Sequence, residues 1–132
     1  MANGTIAFDT LQTSDAVNTG TTKSIDTSYI FNGVAKCWAN TEQASSYSTR
    51  DSFNLSSIAD GGTGKTQLTF ANAFANANHA TTALASNLNN FVGNDIETAA
   101  QSTTTVNFCV IDGSNSLEDS SVLTSSTHGD LA

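Results

Sequence analysis

The segment ADGGTGKT, residues 59–66, places Gly64-Lys65-Thr66 five positions after Ala59. It is one glycine short of the G-x-x-x-x-G-K-[ST] loop, in which backbone N–H groups and a lysine cradle a nucleotide's phosphates. That chemistry needs a strand feeding the loop and a helix opening directly after it, so that the helix N-terminus meets the phosphates. Lys65 instead leads into TQLTF, which alternates with a period of two, and no βαβ pattern surrounds it. The segment therefore reads as a hairpin loop. Asp60 starts the turn, Gly61, Gly62 and Gly64 supply positive backbone φ angles, and Lys65 opens the return strand as an exposed cation.

Other reactive residues are sparser. His79 and His128 could each join one of many serines and an aspartate in a hydrolytic triad, but no G-x-S-x-G elbow is present and His128 lies four residues from the end, where order is least expected. Glu118 and Asp119 are adjacent, so on a strand they face opposite ways and read as a solvated edge. DGSNSLED, residues 112–119, offers oxygen ligands beside a glycine but departs from the calcium-loop pattern; calcium near Asp112 stays a minor alternative. Cys37 and Cys109 each sit in an apolar run without C-x-x-C spacing. They read as buried free thiols, with a disulfide between strands as the lesser alternative. The triplets at Asn3 and Asn54 match the glycosylation acceptor but carry little weight without a secretory signal. No catalytic, cofactor-binding or metal-binding residue is assigned, and the expectation is a protein that is not an enzyme and uses no cofactor.

The chain has 132 residues and a formal net charge of −8, with Lys23, Lys36, Arg50 and Lys65 as its four basic residues. Single, scattered cations cannot neutralise a run of phosphates, which excludes tight nucleic-acid binding. No segment reaches membrane-spanning length and the N-terminus lacks a signal-peptide pattern, so neither membrane insertion nor secretion is expected. Abundant Ser, Thr, Asn and Gly compete with helical hydrogen bonds and favour strands and turns.

Seven or eight short strands at roughly ten-residue spacing suit a sandwich or barrel. Residues 1–30, with TIAFD as the one alternating piece, read as an N-terminal arm of short strands and loops. Residues 31–132 read as the body. YIFNGVAKCWAN, residues 29–40, divides into two extended pieces around Asn32-Gly33, a hairpin-turn signal. Its second piece is apolar on both faces, which predicts a core position for Trp38. Residues 47–58 alternate through Phe53 and Leu55 and pair with 66–70. Residues 71–91 predict a short helical turn and then a strand from about His79 to Ser86. TTTVNFCVI, residues 103–111, is the clearest strand, with Val106, Phe108 and Val110 inward, and residues 117–124 predict a last, weaker one. The fold expected is all-β: a small antiparallel β-sandwich, with a jelly roll as one candidate connectivity, and an extended N-terminal arm.

The runs GVAKCWAN, TRDSFNLSSIADGGTGKTQLTFANAFANANHA and THGDLA resemble a module of virion proteins of tailed phages, marine and cyanobacterial ones especially, found in tail-fibre and other structural proteins. In that module a K-x-W strand precedes R-D-S-F-N, a D-x-G-T-G turn, a strand and an A-x-A-N-Y/H segment. Lys36 and Trp38, Arg50 to Asn54, Asp60 with Gly62 to Gly64, and Ala73 to His79 match these in turn; residues 41–46 depart from it. The resemblance implies a part of the virion. The chain's length leaves no room for a fibre shaft, so a capsid decoration (cement) or short head-fibre protein is expected; the alternative is a tail-fibre or tail-tip protein that binds a host receptor. The resemblance further implies a symmetric homo-oligomer, trimeric by preference, whose partners are itself and the major capsid protein or another virion protein. Its anchors in the arm would be Ile6, Phe8, Leu11, Ile30 and Phe31.

Overall fold

The computed structural model describes residues 10–12, 24–44, 46–86, 89–95 and 101–132. The chain divides into two compact units, Met1–Val34 and Ala35–Ala132.

In the first unit, β1 (Thr10–Gln12) pairs antiparallel with β2 (Ser24–Asp26), Leu11 standing opposite Ile25. A helix, α1 (Thr27–Gly33), comes immediately after. This corrects the extended reading of residues 29–33 and the hairpin turn at Asn32-Gly33. The cause is local. Asp26 acts as N-cap, its carboxylate accepting the Ser28 N–H at 2.7 Å, and the Val34 N–H closes the last turn on the Ile30 carbonyl at 3.1 Å. The bond from Ser28 also holds the Asp26 carboxyl below the usual carboxylate range. With seven residues and none buried, α1 carries no apolar period for the sequence to display.

The second unit is a β-sandwich. One sheet runs β4 (Ser48–Phe53), β3 (Cys37–Glu42), β10 (Leu123–His128), β7 (Ala80–Ala85). The other runs β5 (Leu55–Asp60), β6 (Lys65–Phe70), β9 (Thr105–Ile111), β8 (Phe91–Asn94). All pairings are antiparallel, and the two sheets pack face to face. Three of the six pairings, β3–β4, β5–β6 and β8–β9, join neighbours in sequence. The connectivity is thus rich in hairpins and departs from the nested Greek keys of a jelly roll.

Alternation builds the core. Val106, Phe108 and Val110 of β9 are at most 2% exposed, and β6 buries Thr66, Leu68 and Phe70 on the same side. Opposite them stand Cys37 and Ala39 of β3 and Leu123 of β10. Each large apolar side chain so buried contributes about 1.5–3 kcal/mol. Both cysteines are free thiols; Cys37 is buried and Cys109 half-buried. Burial pushes the Cys37 thiol up to about 11.

The alternation also corrects three expectations. β3 is buried on one face only, so Trp38, between Cys37 and Ala39, points outward and is 38% exposed. Residues 47–58 are two strands in different sheets. Asn54, at φ 57°, breaks the run, and its amide pairs with that of Asn72, whose backbone N–H donates to Asn54 Oδ1 at 2.8 Å. Phe53 consequently faces solvent, 54% exposed, while Leu55 packs on the core.

Residues 71–79 form bends, not a helical turn. They are held by a bridge between Phe74 and Leu131 and by Ala75 N–H to Asp130 and Ala132 N–H to Ala73 hydrogen bonds. The last strand begins at Leu123 rather than at 117, and His128 is its final residue, paired with Ala80 of β7. β10 is a central strand, bonded to β3 and β7, and the residues after it are tied back by the Phe74–Leu131 bridge.

Candidate functional site

The loop between β5 and β6 carries the near-match to a phosphate cradle. Asp60 does start the turn: its Oδ1 accepts the Gly62 N–H at 2.8 Å. The Gly61 N–H donates to the Lys65 carbonyl at 3.0 Å and the Lys65 N–H to that of Gly62 at 2.9 Å. The Gly64 N–H donates to Asp119 Oδ1 at 2.6 Å. These four amides are already committed within the protein, two of them to carboxylates, and the loop leads into β6 rather than a helix. Those amides are therefore not free to donate to a phosphate, as the amides of a nucleotide-binding loop are.

Two details differ from expectation. Gly62 and Gly64 have positive φ, 99° and 70°, but Gly61 does not. Lys65 is not an exposed cation: its ammonium stands 3.4 Å from the carboxylate of Asp95, and the two side chains are 19% and 5% exposed.

Gly64 is the tightest point. A Cβ there would fall 2.6 Å from the Val110 carbonyl oxygen and 2.9 Å from the Glu118 nitrogen. The Val110 N–H in turn donates to the Gly64 carbonyl at 2.8 Å. Glu118 and Asp119 thus lie in a connecting segment that clasps the loop, not on a strand with opposed faces.

Beside this clasp lies a buried polar seam. Gln43, 4% exposed, donates through Nε2 to Thr66 Oγ1 at 2.7 Å and accepts the Ser120 N–H on Oε1 at 2.9 Å. The Tyr47 hydroxyl bonds to the Lys65 carbonyl and Thr66 Oγ1. Burial raises the Tyr47 hydroxyl above its ordinary range, an effect the Thr66 bond partly offsets. A buried side-chain amide satisfied by two separate segments specifies how they stack. Nothing in the pattern of residues 41–47 signalled it, because Gln43 lies just past the end of β3.

The histidines do not meet. His79, 5% exposed, packs on Phe70 and Phe74 with ring centroids 5.3 and 4.7 Å away and places Nε2 3.0 Å from the Ser102 carbonyl. His128 Nε2 lies 3.2 Å from Ser126 Oγ, as i,i+2 neighbours on one face of β10. The Asp112 carboxylate accepts the Ser114 and Ser116 N–H groups, both at 2.8 Å, and so closes its own loop. Among the described residues no cluster of three or more His, Cys, Asp or Glu could hold a metal ion.

Of the predicted anchors, Ile6 and Phe8 lie outside the described residues, and Leu11 falls in β1. Ile30 is half-buried and Phe31 is 67% exposed, both on α1. The surface missed from sequence is the outer face of the β4-β3-β10-β7 sheet. There Trp38 and Phe53 are cross-strand partners, and Leu84 stands 75% exposed on β7. The signal was present in part: Asn54 between Phe53 and Leu55 marks the corner that turns Phe53 outward.

No protein-family model, curated protein or solved structure matches this chain.

Proposed function

We propose that the chain is a structural protein of a tailed-phage virion, a capsid decoration or short head-fibre protein on the particle surface. The observation that carries this reading is the use made of its signature residues. Asp60 and Gly64 close and clasp the hairpin loop, Asn54 turns the corner between the sheets, and His79 packs against Phe70 and Phe74. The motif that resembles the virion module is thus spent on holding a sandwich, as suits a protein whose work is mechanical. The partners in this reading are other copies of the chain and the major capsid protein, and no catalysis or cofactor is involved. One feature favours the second reading, a tail-tip protein that binds a host receptor: Trp38 is available at the surface beside Ser126 and Asn40, a setting that suits a sugar ring.

Co-sedimentation of the purified protein with undecorated capsids tests the proposal. Saturable uptake at a fixed number of copies per lattice unit is expected. Binding to host cells with no uptake by capsids would replace the first reading with the second.

A further inference from the structure

We infer that Asn32 is a site of spontaneous covalent modification in the folded chain, converting to aspartate and isoaspartate through attack by the Gly33 backbone nitrogen. An Asn-Gly pair favours this closure because glycine has no Cβ to crowd the attacking nitrogen and the widest choice of backbone angles. The chain has two such pairs, Asn32-Gly33 and Asn3-Gly4, of which the second lies outside the described residues. Asn32 and Gly33 are the last two residues of α1, both are exposed, and nothing lies within 4 Å of the place a Gly33 Cβ would take. Helical backbone holds the attacking nitrogen away from the side-chain carbonyl, so the rate depends on how often α1 opens. α1 is a weak helix. None of its seven residues is buried, and TSYIFNG contains none of the strong helix formers. A helix so short is marginal in water without tertiary packing on an apolar face, so its opening lies at the low end of the free-energy range for local unfolding.

The chemistry needs only water. The Gly33 nitrogen gives up its proton and bonds to the side-chain carbonyl carbon of Asn32, and the amide nitrogen leaves with that proton as ammonia. Water then opens the cyclic imide at one of its two carbonyls. Opening at the side-chain carbonyl gives aspartate; opening at the backbone carbonyl leaves the chain linked through the side chain, as isoaspartate. The two Asp-Gly pairs could close in the same way with loss of water, but the fold restrains them. Asp60 Oδ1 accepts the Gly62 N–H at 2.8 Å, and the attacking group, the Gly61 N–H, is bonded to the Lys65 carbonyl at 3.0 Å. Asp112 Oδ1 accepts the Ser114 and Ser116 N–H groups. Either product at Asn32 adds one negative charge to a chain already at −8. The isoaspartyl form also inserts a methylene into the backbone between Phe31 and Gly33, so the Val34 N–H to Ile30 carbonyl bond that closes α1 cannot re-form in its old geometry. The change is one-way, and it falls at the end of the first compact unit, Met1–Val34.

The test is a time course of the folded, full-length chain in warm, mildly alkaline buffer, read by tryptic peptide mapping with mass spectrometry against a sample digested at time zero. Trypsin cuts after Lys23, Lys36, Arg50 and Lys65, so Asn3, Asn32, Asp60 and Asp112 fall in four different peptides. The peptide of residues 24–36 is expected to split into aspartyl and isoaspartyl forms, faster at higher pH, while the peptides that hold Asp60 and Asp112 stay unchanged. Its half-time should lie within about ten-fold of that of the synthetic peptide SIDTSYIFNGVAK, the margin left by a helix that opens at little cost. Asn32→Gln should abolish the change. Gly33→Ala, for which there is room, should slow it at least about four-fold, the factor that alanine's helix preference over glycine supplies on its own. A 24–36 peptide that converts more than ten-fold more slowly than the synthetic one, that changes no faster than the Asp60 and Asp112 peptides, or that still changes in Asn32→Gln would overturn the inference. The reaction is read without capsids or host cells, so its outcome is separate from that of the co-sedimentation experiment.

Discussion

Replacing Gly64 by alanine isolates the clasp on which the glycine-rich loop depends. Gly64 holds φ at 70°, a conformation that costs an L-residue about 1–2 kcal/mol. The new Cβ would sit 2.6 Å from the Val110 carbonyl oxygen and 2.9 Å from the Glu118 nitrogen, both backbone atoms that cannot swing aside. Relief requires moving the loop away from β9. That move stretches the Val110 N–H to Gly64 carbonyl bond and the Gly64 N–H to Asp119 bond, 2.8 and 2.6 Å long. One neutral and one charge-assisted hydrogen bond contribute about 2–4 kcal/mol together. The expected loss is about 3–5 kcal/mol, a large share of the roughly 5–15 kcal/mol typical of a domain. At a slope of about 1–3 kcal/mol per molar urea, the unfolding midpoint should fall by at least about 1 M. Gly62→Ala is the control, since Gly62 also has positive φ but nothing lies within 4 Å of a Cβ there. A Gly64→Ala midpoint equal to that of Gly62→Ala would refute the clasp.

Three other perturbations probe the same sandwich. Lys65→Met removes the ammonium that faces the buried Asp95 carboxylate and should cost about 2–4 kcal/mol; a double-mutant cycle with Asp95→Asn in urea should return a coupling of at least about 1 kcal/mol. Gln43→Ala deprives the buried Ser120 N–H and the Thr66 hydroxyl of a partner and should cost about 2–3 kcal/mol, measured by thermal unfolding. The Cys37 thiol rises from 9.0 to about 11 in the folded protein, so the fold holds its proton more tightly than the unfolded chain does. The stability this provides is fully present below pH 9 and is lost as pH rises from 9 towards 11. Cys37→Ala should therefore flatten the alkaline limb of a stability–pH curve.

Residues with strict alternation and β-branched content announced themselves: β9 lies where TTTVNFCVI placed it, with Val106, Phe108 and Val110 inward. The loop around Gly62 and Gly64 was legible because the two-residue period of β6 left no helix for a phosphate cradle. Features set by a single residue or by distant partners were not. Phe53 and Leu55 preserve an alternating pattern on paper, yet left-handed Asn54 sends them to different sheets, one side chain outward and the other onto the core. Helix α1 depends on one capping aspartate and is too short to show a period. Trp38 stands among apolar neighbours in sequence, but only Cys37 and Ala39 face inward. Lys65 pairs with Asp95, far along the chain, and β10 is placed by its pairing with β3 and β7 rather than by its own composition.

The most direct test of the structural-protein account is the location of the chain on particles, read by immunogold electron microscopy together with its copy number by quantitative mass spectrometry. Label spread over the head surface at many copies per particle, in fixed ratio to the major capsid protein, is expected. Particles that lack the chain altogether, or carry only a few copies at the tail tip, would contradict it.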